Sequence, residues 1–165
     1  FHALLRQRTG PFAVELADLA KVNLPLLDEP QHPALQQYKH EHTKAWSARV
    51  QAADAYVIVT PEYNYGPPAS LRNALDYLYR EWNYKPAGFV SYGGISGGLR
   101  SVQMTKVTLT TLKIMPMVEA VTIAFVNQFL NDAGEFVAKE AHEKTGHDML
   151  DELLKWATAL KPLHS

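Results

Sequence analysis

Apolar residues cluster along the chain in two rhythms. Ala55-Tyr56-Val57-Ile58-Val59-Thr60 is a continuous apolar run with β-branched residues, and Ala87 to Tyr92 is a second. Runs of this length and make-up are expected of strands buried on both faces of a parallel sheet. Phe12–Leu16 reads as a shorter strand, and Val118–Phe125 as one in which Val121, Ile123 and Phe125 alternate with small or polar residues. Between the runs the spacing turns helical. Leu35, Tyr38, His42, Trp46 and Val50 predict a helix from Pro33 to about Ala53. Ser70 is placed to cap a helix whose stripe is Leu71, Ala74, Leu75 and Leu78, ending near Trp82-Asn83. Further helices are expected from about Leu99 to Leu112 and from about Asp148 to Leu160, the last stopped by Pro162. Asn131-Asp132-Ala133-Gly134 reads as a turn.

Strand and helix alternate strictly, which predicts an α/β fold with a parallel sheet covered on both sides. Right-handed crossovers leave few topologies, and the flavodoxin-like order 2-1-3-4-5 fits. The 165 residues are expected to form a single domain over 1–165. Leu4 and Leu5, followed by Thr9-Gly10, resemble the tail of an amphipathic helix.

Composition narrows the chemistry. The formal net charge is −1 without Lys/Arg clusters, so nothing favours nucleic acid or an anionic membrane. No cysteine is present, which excludes disulfides, thiolate catalysis and Cys-ligated metals and is compatible with a cytoplasmic location. The longest apolar stretch, Met115 to Val126, is too short and too interrupted for a membrane span. His40 and His42, two apart, would point to different faces of a helix, so no metal site is expected there.

Two loops carry the candidate chemistry, about thirty residues apart. Each follows a buried strand, where ligands of open α/β sheets bind. The first is Pro61-Glu62-Tyr63-Asn64-Tyr65-Gly66-Pro67-Pro68. Its prolines remove backbone freedom, its tyrosines offer flat surface with polar tips, and Glu62 and Asn64 add polar atoms. A planar heteroaromatic ligand suits that set; a rigid connection whose tyrosines merely pack is the alternative. The second loop runs from Ser91 to Gly98 with Gly93, Gly94, Gly97 and Gly98. Such glycines let backbone N–H groups approach a ligand. The spacing is neither a dinucleotide fingerprint nor a P-loop.

Gly94-Ile95-Ser96-Gly97-Gly98 also satisfies G-x-S-x-G between a strand and a helix, with Asp132 and His142 or His147 downstream. A non-catalytic flavodoxin-like binding or interaction protein is the second reading, and a serine hydrolase using Ser96 comes last, since short motifs match by chance.

At these residues the chain resembles the NADPH-dependent FMN reductase family, a flavodoxin-like group that includes quinone, azo-dye and chromate reductases. Four segments carry the likeness: Leu24-Pro25-Leu26-Leu27-Asp28, Thr60 to Asn64, Pro68 to Asp76 and Ser91 to Gly98. The resemblance implies a noncovalent FMN at the carboxyl edge of the sheet. Pro61, Glu62, Tyr63 and Asn64 would line its isoalloxazine. Ser91, Tyr92, Gly93 and Gly94 would meet its pyrimidine edge, and Tyr65 would lie near the substrate face. NADPH or NADH would pass hydride to flavin N5, and a quinone, azo compound, free flavin or similar acceptor would take the electrons, with no catalytic side chain required. Members are usually homodimers or homotetramers, with the helix after the first loop at or near an interface. They also begin with a strand and a Gly-Ser-Thr/Ser-x-Arg-type phosphate loop, which these 165 residues lack. That strand would lie between Phe12–Leu16 and Ala55–Thr60, so a further upstream segment is expected.

Overall fold

The computed structural model describes residues 12–164; the helix tail expected around Leu4 and Leu5 lies outside them. Three parallel strands form the sheet: β1 (Tyr56–Pro61), β2 (Pro86–Tyr92) and β3 (Met115–Ile123), in spatial order β1-β2-β3. This is the adjacency expected of the last three strands in a 2-1-3-4-5 sheet. Five helices accompany it among the described residues: α1 (Leu19–Val22), α2 (Glu41–Ala52), α3 (Ala69–Asp76), α4 (Leu99–Thr111) and α5 (Glu140–Leu160).

Strand β2 is the centre of the fold, buried on both faces up to Ser91. Ala87 and Phe89 join the core under α2, α3 and α4, with Trp46, Leu75, Leu78, Trp82, Val102 and Leu109. Val90 joins the opposite core, where Met117, Val121 and Ile123 meet Met149, Leu150 and Leu153 of α5. Gly88 permits that second contact. A Cβ there would sit 2.8 Å from Met149 Sδ, closer than real Cβ atoms approach.

Several elements differ from their sequence pattern. Phe12–Leu16 is not in a ladder. Its neighbour in the expected order is not among the described residues; instead Arg49 holds the segment, pairing with Glu15 and donating to the Leu16 carbonyl at 2.6 Å. β1 is correspondingly not buried throughout: Val59 is 56% exposed. The helix expected from Pro33 starts at Glu41. Gln36 takes a left-handed φ of 53°, and the Glu29 carboxylate accepts the Lys39 and His40 N–H groups at 2.8 and 3.0 Å. His40 is thus a cap, and its ring stacks on His42 at 5.2 Å rather than facing away.

Helix α3 stops at Asp76, with Pro68 rather than Ser70 as cap, and Leu78 packs from the following loop. Strand β3 begins at Met115 and ends at Ile123, because Phe125 turns left-handed at φ 49°. Helix α5 starts eight residues before Asp148. Its first turns are solvated and held by charge, as in the Lys144–Asp148 pair at 2.7 Å, so no apolar stripe marks them. The expected turn is present: Gly134, at φ 76°, donates to Asn131 O at 2.8 Å.

Lys85 enters the interior at 2% exposure. Its ammonium donates to Val50 O and Gln51 O at 3.0 and 2.9 Å, closing the C-terminal end of α2. Burial lowers its pKa from 10.5 to about 8, against the opposing pull of Asp54 and Glu81. Between those values the unfolded chain holds a proton that the folded one has lost, so stability rises with pH across the interval. Half-buried Tyr56 and Tyr38, raised well above their usual range, act oppositely once unfolded phenols ionise near pH 10. Urea unfolding is therefore expected to show stability rising from about pH 8 towards pH 10, a rise that Lys85→Met abolishes.

Candidate functional site

The β1–β2 ladder brings the two loops together. Thr60 partners Ser91 and Pro61 partners Tyr92 at the carboxyl ends of the strands. Just beyond, an added Cβ on Gly93 would lie 3.9 Å from Glu62 Cβ. Burial, and then the nearby Tyr63 phenol, push the Tyr92 phenol above its usual value. Pro61 to Asn64 and Tyr92 to Gly94 thus form one continuous edge.

Beneath this edge lies a buried hydroxyl layer. Thr60 Oγ1 donates to Pro61 O at 2.9 Å and lies 3.0 Å from Ser101 Oγ; Thr105 Oγ1 donates to Ser101 O at 2.8 Å. Ser91 belongs to the layer and not to the surface. It is fully buried, and its Oγ has no hydrogen-bond partner among the described residues.

The glycines of the second loop divide by role. Gly97 and Gly98 have φ of 59° and 84°, and added Cβ atoms would meet Thr122 Cγ2 at 2.6 Å and the Tyr92 backbone at 2.9 Å. They are needed for the loop to turn back over β2 and β3. Gly93 donates to Ile123 O at 3.2 Å, and Gly94 O accepts Phe125 N–H at 2.9 Å, which ties the loop to the end of β3. Gly94 itself is exposed, and a Cβ there would meet nothing within 4 Å.

In the first loop Tyr63 and Gly66 exchange two backbone hydrogen bonds of 2.9 Å, closing a two-residue turn. Asn64 and Tyr65 both have positive φ, 49° and 72°, the pattern of a type I′ turn. Asn tolerates that region; an aromatic residue there costs about 1–2 kcal/mol.

Glu62 joins the two loops. Its side chain is 9% exposed and is the acceptor for three donors. Ser96 Oγ donates at 2.8 Å, Arg100 N–H at 3.0 Å to the same oxygen, and Arg100 Nη1 at 2.9 Å to the other. Helix α4 has Gly98 as its cap and no capping side chain of its own, so Glu62 supplies the missing acceptor and a negative charge at the helix N-terminus. Burial opposes ionisation of Glu62, but Ser96 and Arg100 outweigh it and hold its carboxyl below the usual range. Arg100 also lies over the Tyr65 ring, 4.3 Å from guanidinium carbon to centroid. Sequence reasoning missed Arg100; its place two residues after the Ser96-Gly97-Gly98 segment, in the first turn of the helix, was the available signal.

Ser96 is thus committed to a carboxylate. The hydrogen-bond partners of its Oγ among the described residues are the Glu62 carboxylate and the Gly98 N–H. His142, named for a triad, is packed on Phe129 and Phe136 and accepts Lys139 N–H at Nδ1. This is not the serine–histidine pair that a hydrolase needs.

The donor set fits a flat heterocycle. Gly94 leaves its backbone open to a close neighbour, and the Tyr63 and Tyr65 rings are exposed on the adjoining loop. The polar groups flanking them suit ring edges with both donors and acceptors. A phosphate loop of the kind implied by the resemblance is not among the described residues.

Known proteins resemble this chain in sequence and in fold. The family described as NADPH-dependent FMN reductase matches residues 1–128. An NAD(P)H-dependent FMN reductase of Schizosaccharomyces pombe is 37% identical over 162 residues, covering 94% of this chain and 81% of that protein. A probable NADPH:quinone oxidoreductase of Oryza sativa is 37% identical over 93 residues, covering 54% of this chain and 42% of its own length. Among solved structures, the flavoenzyme NAD(P)H:(acceptor) oxidoreductase FerB of Paracoccus denitrificans superposes with a TM-score of 0.72 at 20% identity, covering 96% of this chain and 87% of its own. At that identity the likeness concerns the flavodoxin-like fold.

The Glu62 carboxylate gives the site an acid limit. Its lowered pKa means that its contribution is complete above the ordinary value of 4.5 and is lost as pH falls through the folded value. Glu62→Gln is expected to be less stable than the parent at neutral pH, with the difference closing as the solution is acidified below pH 4.5. Thermal unfolding of both proteins across that range measures it.

Proposed function

The chain belongs to the NADPH-dependent FMN reductase family, and from that premise we propose that it is an NAD(P)H oxidoreductase whose two loops hold FMN at the carboxyl edge of the sheet. FMN is the cofactor and a reduced nicotinamide the donor in this family. The observation that carries the proposal for this chain is the join of the loops: Pro61 beside Tyr92, with Gly93 against Glu62.

Pro61, Tyr63, Asn64, Tyr92, Gly93 and Gly94 would face the isoalloxazine. Glu62 and Ser91 would act from beneath, Glu62 by fixing Ser96 and Arg100, and Ser91 within the buried hydroxyl layer. When bound, FMN supplies the centre that takes up hydride and passes it on. The protein's part is to orient the ring, keep one face open and exclude competing geometry. Tyr65, 66% exposed at the tip of its turn, would bound the acceptor side. Quinones, azo compounds and free flavin are the proposed acceptors, since an open edge with flat aromatic walls suits planar molecules.

A homodimer or homotetramer is part of the proposal. Helix α4 leaves Met104 and Val107 exposed, Val107 at 72%, and Met104 Sδ lies 3.6 Å from where a Cβ on Gly66 would stand. An apolar strip continuous with the site loop suits a second copy of the chain better than water. A cytoplasmic location is proposed from the reduced-nicotinamide donor and the absence of cysteine.

Purified protein is expected to be yellow, or to become so with added FMN, and to bleach with NADPH. A colourless protein that takes up no FMN overturns the proposal. Gly94→Val separates cofactor contact from folding. Its new side chain enters open space, so the melting temperature is expected to stay within about 2 °C. The FMN dissociation constant is expected to rise about ten-fold or more by obstruction. Gly98→Ala, at φ 84° and 2.9 Å from the Tyr92 backbone, is expected to lower the melting temperature by more than about 4 °C.

A further inference from the structure

A ring at the apex of a two-residue turn ordinarily has freedom about its first side-chain torsion. Tyr65 has such a ring, exposed and carried on a left-handed backbone. The Arg100 guanidinium lies over it at 4.3 Å, and that guanidinium does not move freely either. Its Nη1 is bonded to Glu62 Oε1 at 2.9 Å, while the N–H of the same residue is bonded to Glu62 Oε2 at 3.0 Å. Arg100 is held by side chain and backbone to one carboxylate that is itself 9% exposed, although 47% of the arginine side chain remains in water.

Arginine suits this place for a geometric reason. Its N–H donors lie in the plane of the guanidinium, and stacking uses the face. One group can therefore hold Glu62 with its edge and Tyr65 with its face. A lysine ammonium has charge without a face and cannot do both at this spacing.

We propose that Arg100 is a positioning residue that fixes the Tyr65 ring as the wall of the acceptor pocket, and so favours flat acceptors over bulky ones. The proposal rests on the reading of Tyr65 as the acceptor side of the flavin site. The chain of support runs from the N-terminus of α4 through Glu62 and Arg100 to the ring, so the wall is set by the same carboxylate that joins the loops.

The test uses the full chain with Arg100→Met, Arg100→Lys, Tyr65→Leu and the Arg100→Met/Tyr65→Leu double variant. In ligand-free protein the melting-temperature losses of Arg100→Met and Tyr65→Leu are expected to overlap. The double variant should lose about 1–4 °C less than their sum, the size of an exposed cation–π contact in a chain of this length. Strictly additive losses overturn the proposal. In flavin-loaded enzyme, KM for a benzoquinone is expected to rise about three- to five-fold in Arg100→Met and Tyr65→Leu alike, with no further rise in the double variant. The kcat and the FMN dissociation constant should stay within about two-fold.

A KM change in Arg100→Met without one in Tyr65→Leu also overturns the proposal, since the arginine would then meet the acceptor directly. Arg100→Lys keeps a donor for Glu62 but no stacking face, and is expected to show the raised KM with a smaller melting-temperature loss than Arg100→Met, limited to that of the ring contact. It therefore reads the same effect if Arg100→Met folds poorly. A wild-type protein that binds no FMN sinks the flavin reading, whereas the ligand-free cycle still decides whether Arg100 holds the ring.

Discussion

One carboxylate organises the upper edge of this molecule. Glu62 leaves β1 and reaches the N-terminus of α4, where it receives a hydroxyl, a backbone N–H and a guanidinium. Those three donors come from the segment that follows β2, so a single side chain converts two independent loops into one surface. The arrangement also satisfies a helix end that begins on glycine and has no cap of its own. A residue at 62 with no acceptor oxygen would leave these donors to water at a helix end that is only partly open, and unmet polar groups there are costly. The positions of Ser96, Arg100 and Tyr65 all descend from this contact.

The platform below it is rigid for a different reason. β2 is buried on both faces, with Phe89 and Val90 pointing into separate cores. Gly88 lets α5 approach from one side, and the α2–α4 layer covers the other. Close-packed cores transmit little slack, so the ends of β1 and β2 are fixed where the loops depart. The hydroxyl layer of Thr60, Ser101 and Thr105 lies between platform and loops. Ser91 is its one member without a partner among the described residues, and buried polar atoms left so are few in folded proteins.

Periodicity found the elements that bury a continuous face. β1, β2, β3 and α4 were legible because their neighbours are cores, and apolar residues record that directly. α5 was legible only from Met149 and Leu150 onward, since its first turns depend on charges and contribute little to the core. The missing start of the Pro33 helix lay in Glu29, eleven residues before the N–H of His40 that it accepts, a contact that no local pattern encodes. Phe12–Leu16 carries strand-like residues, but a strand is a partnership, and Arg49 is its partner here. At the site, the loops were visible from proline, tyrosine and glycine content. Their division of labour was not: Ser91 facing inward, Glu62 spent on the other loop and the Arg100 guanidinium over the Tyr65 ring are tertiary facts.

The backbone at Tyr65 has a consequence for variation at that position. A type I′ turn accepts Asn-Gly most readily, and this chain has Asn64 followed by an aromatic residue at φ 72°. Any screen that rewards stability alone would drift towards glycine at 65, relieve the backbone and discard the ring. A screen that rewards turnover would be expected to keep the ring and tolerate the strain. Position 65 is therefore where thermostable and active lineages of this fold should part, and a library randomised there would sort itself by the pressure applied.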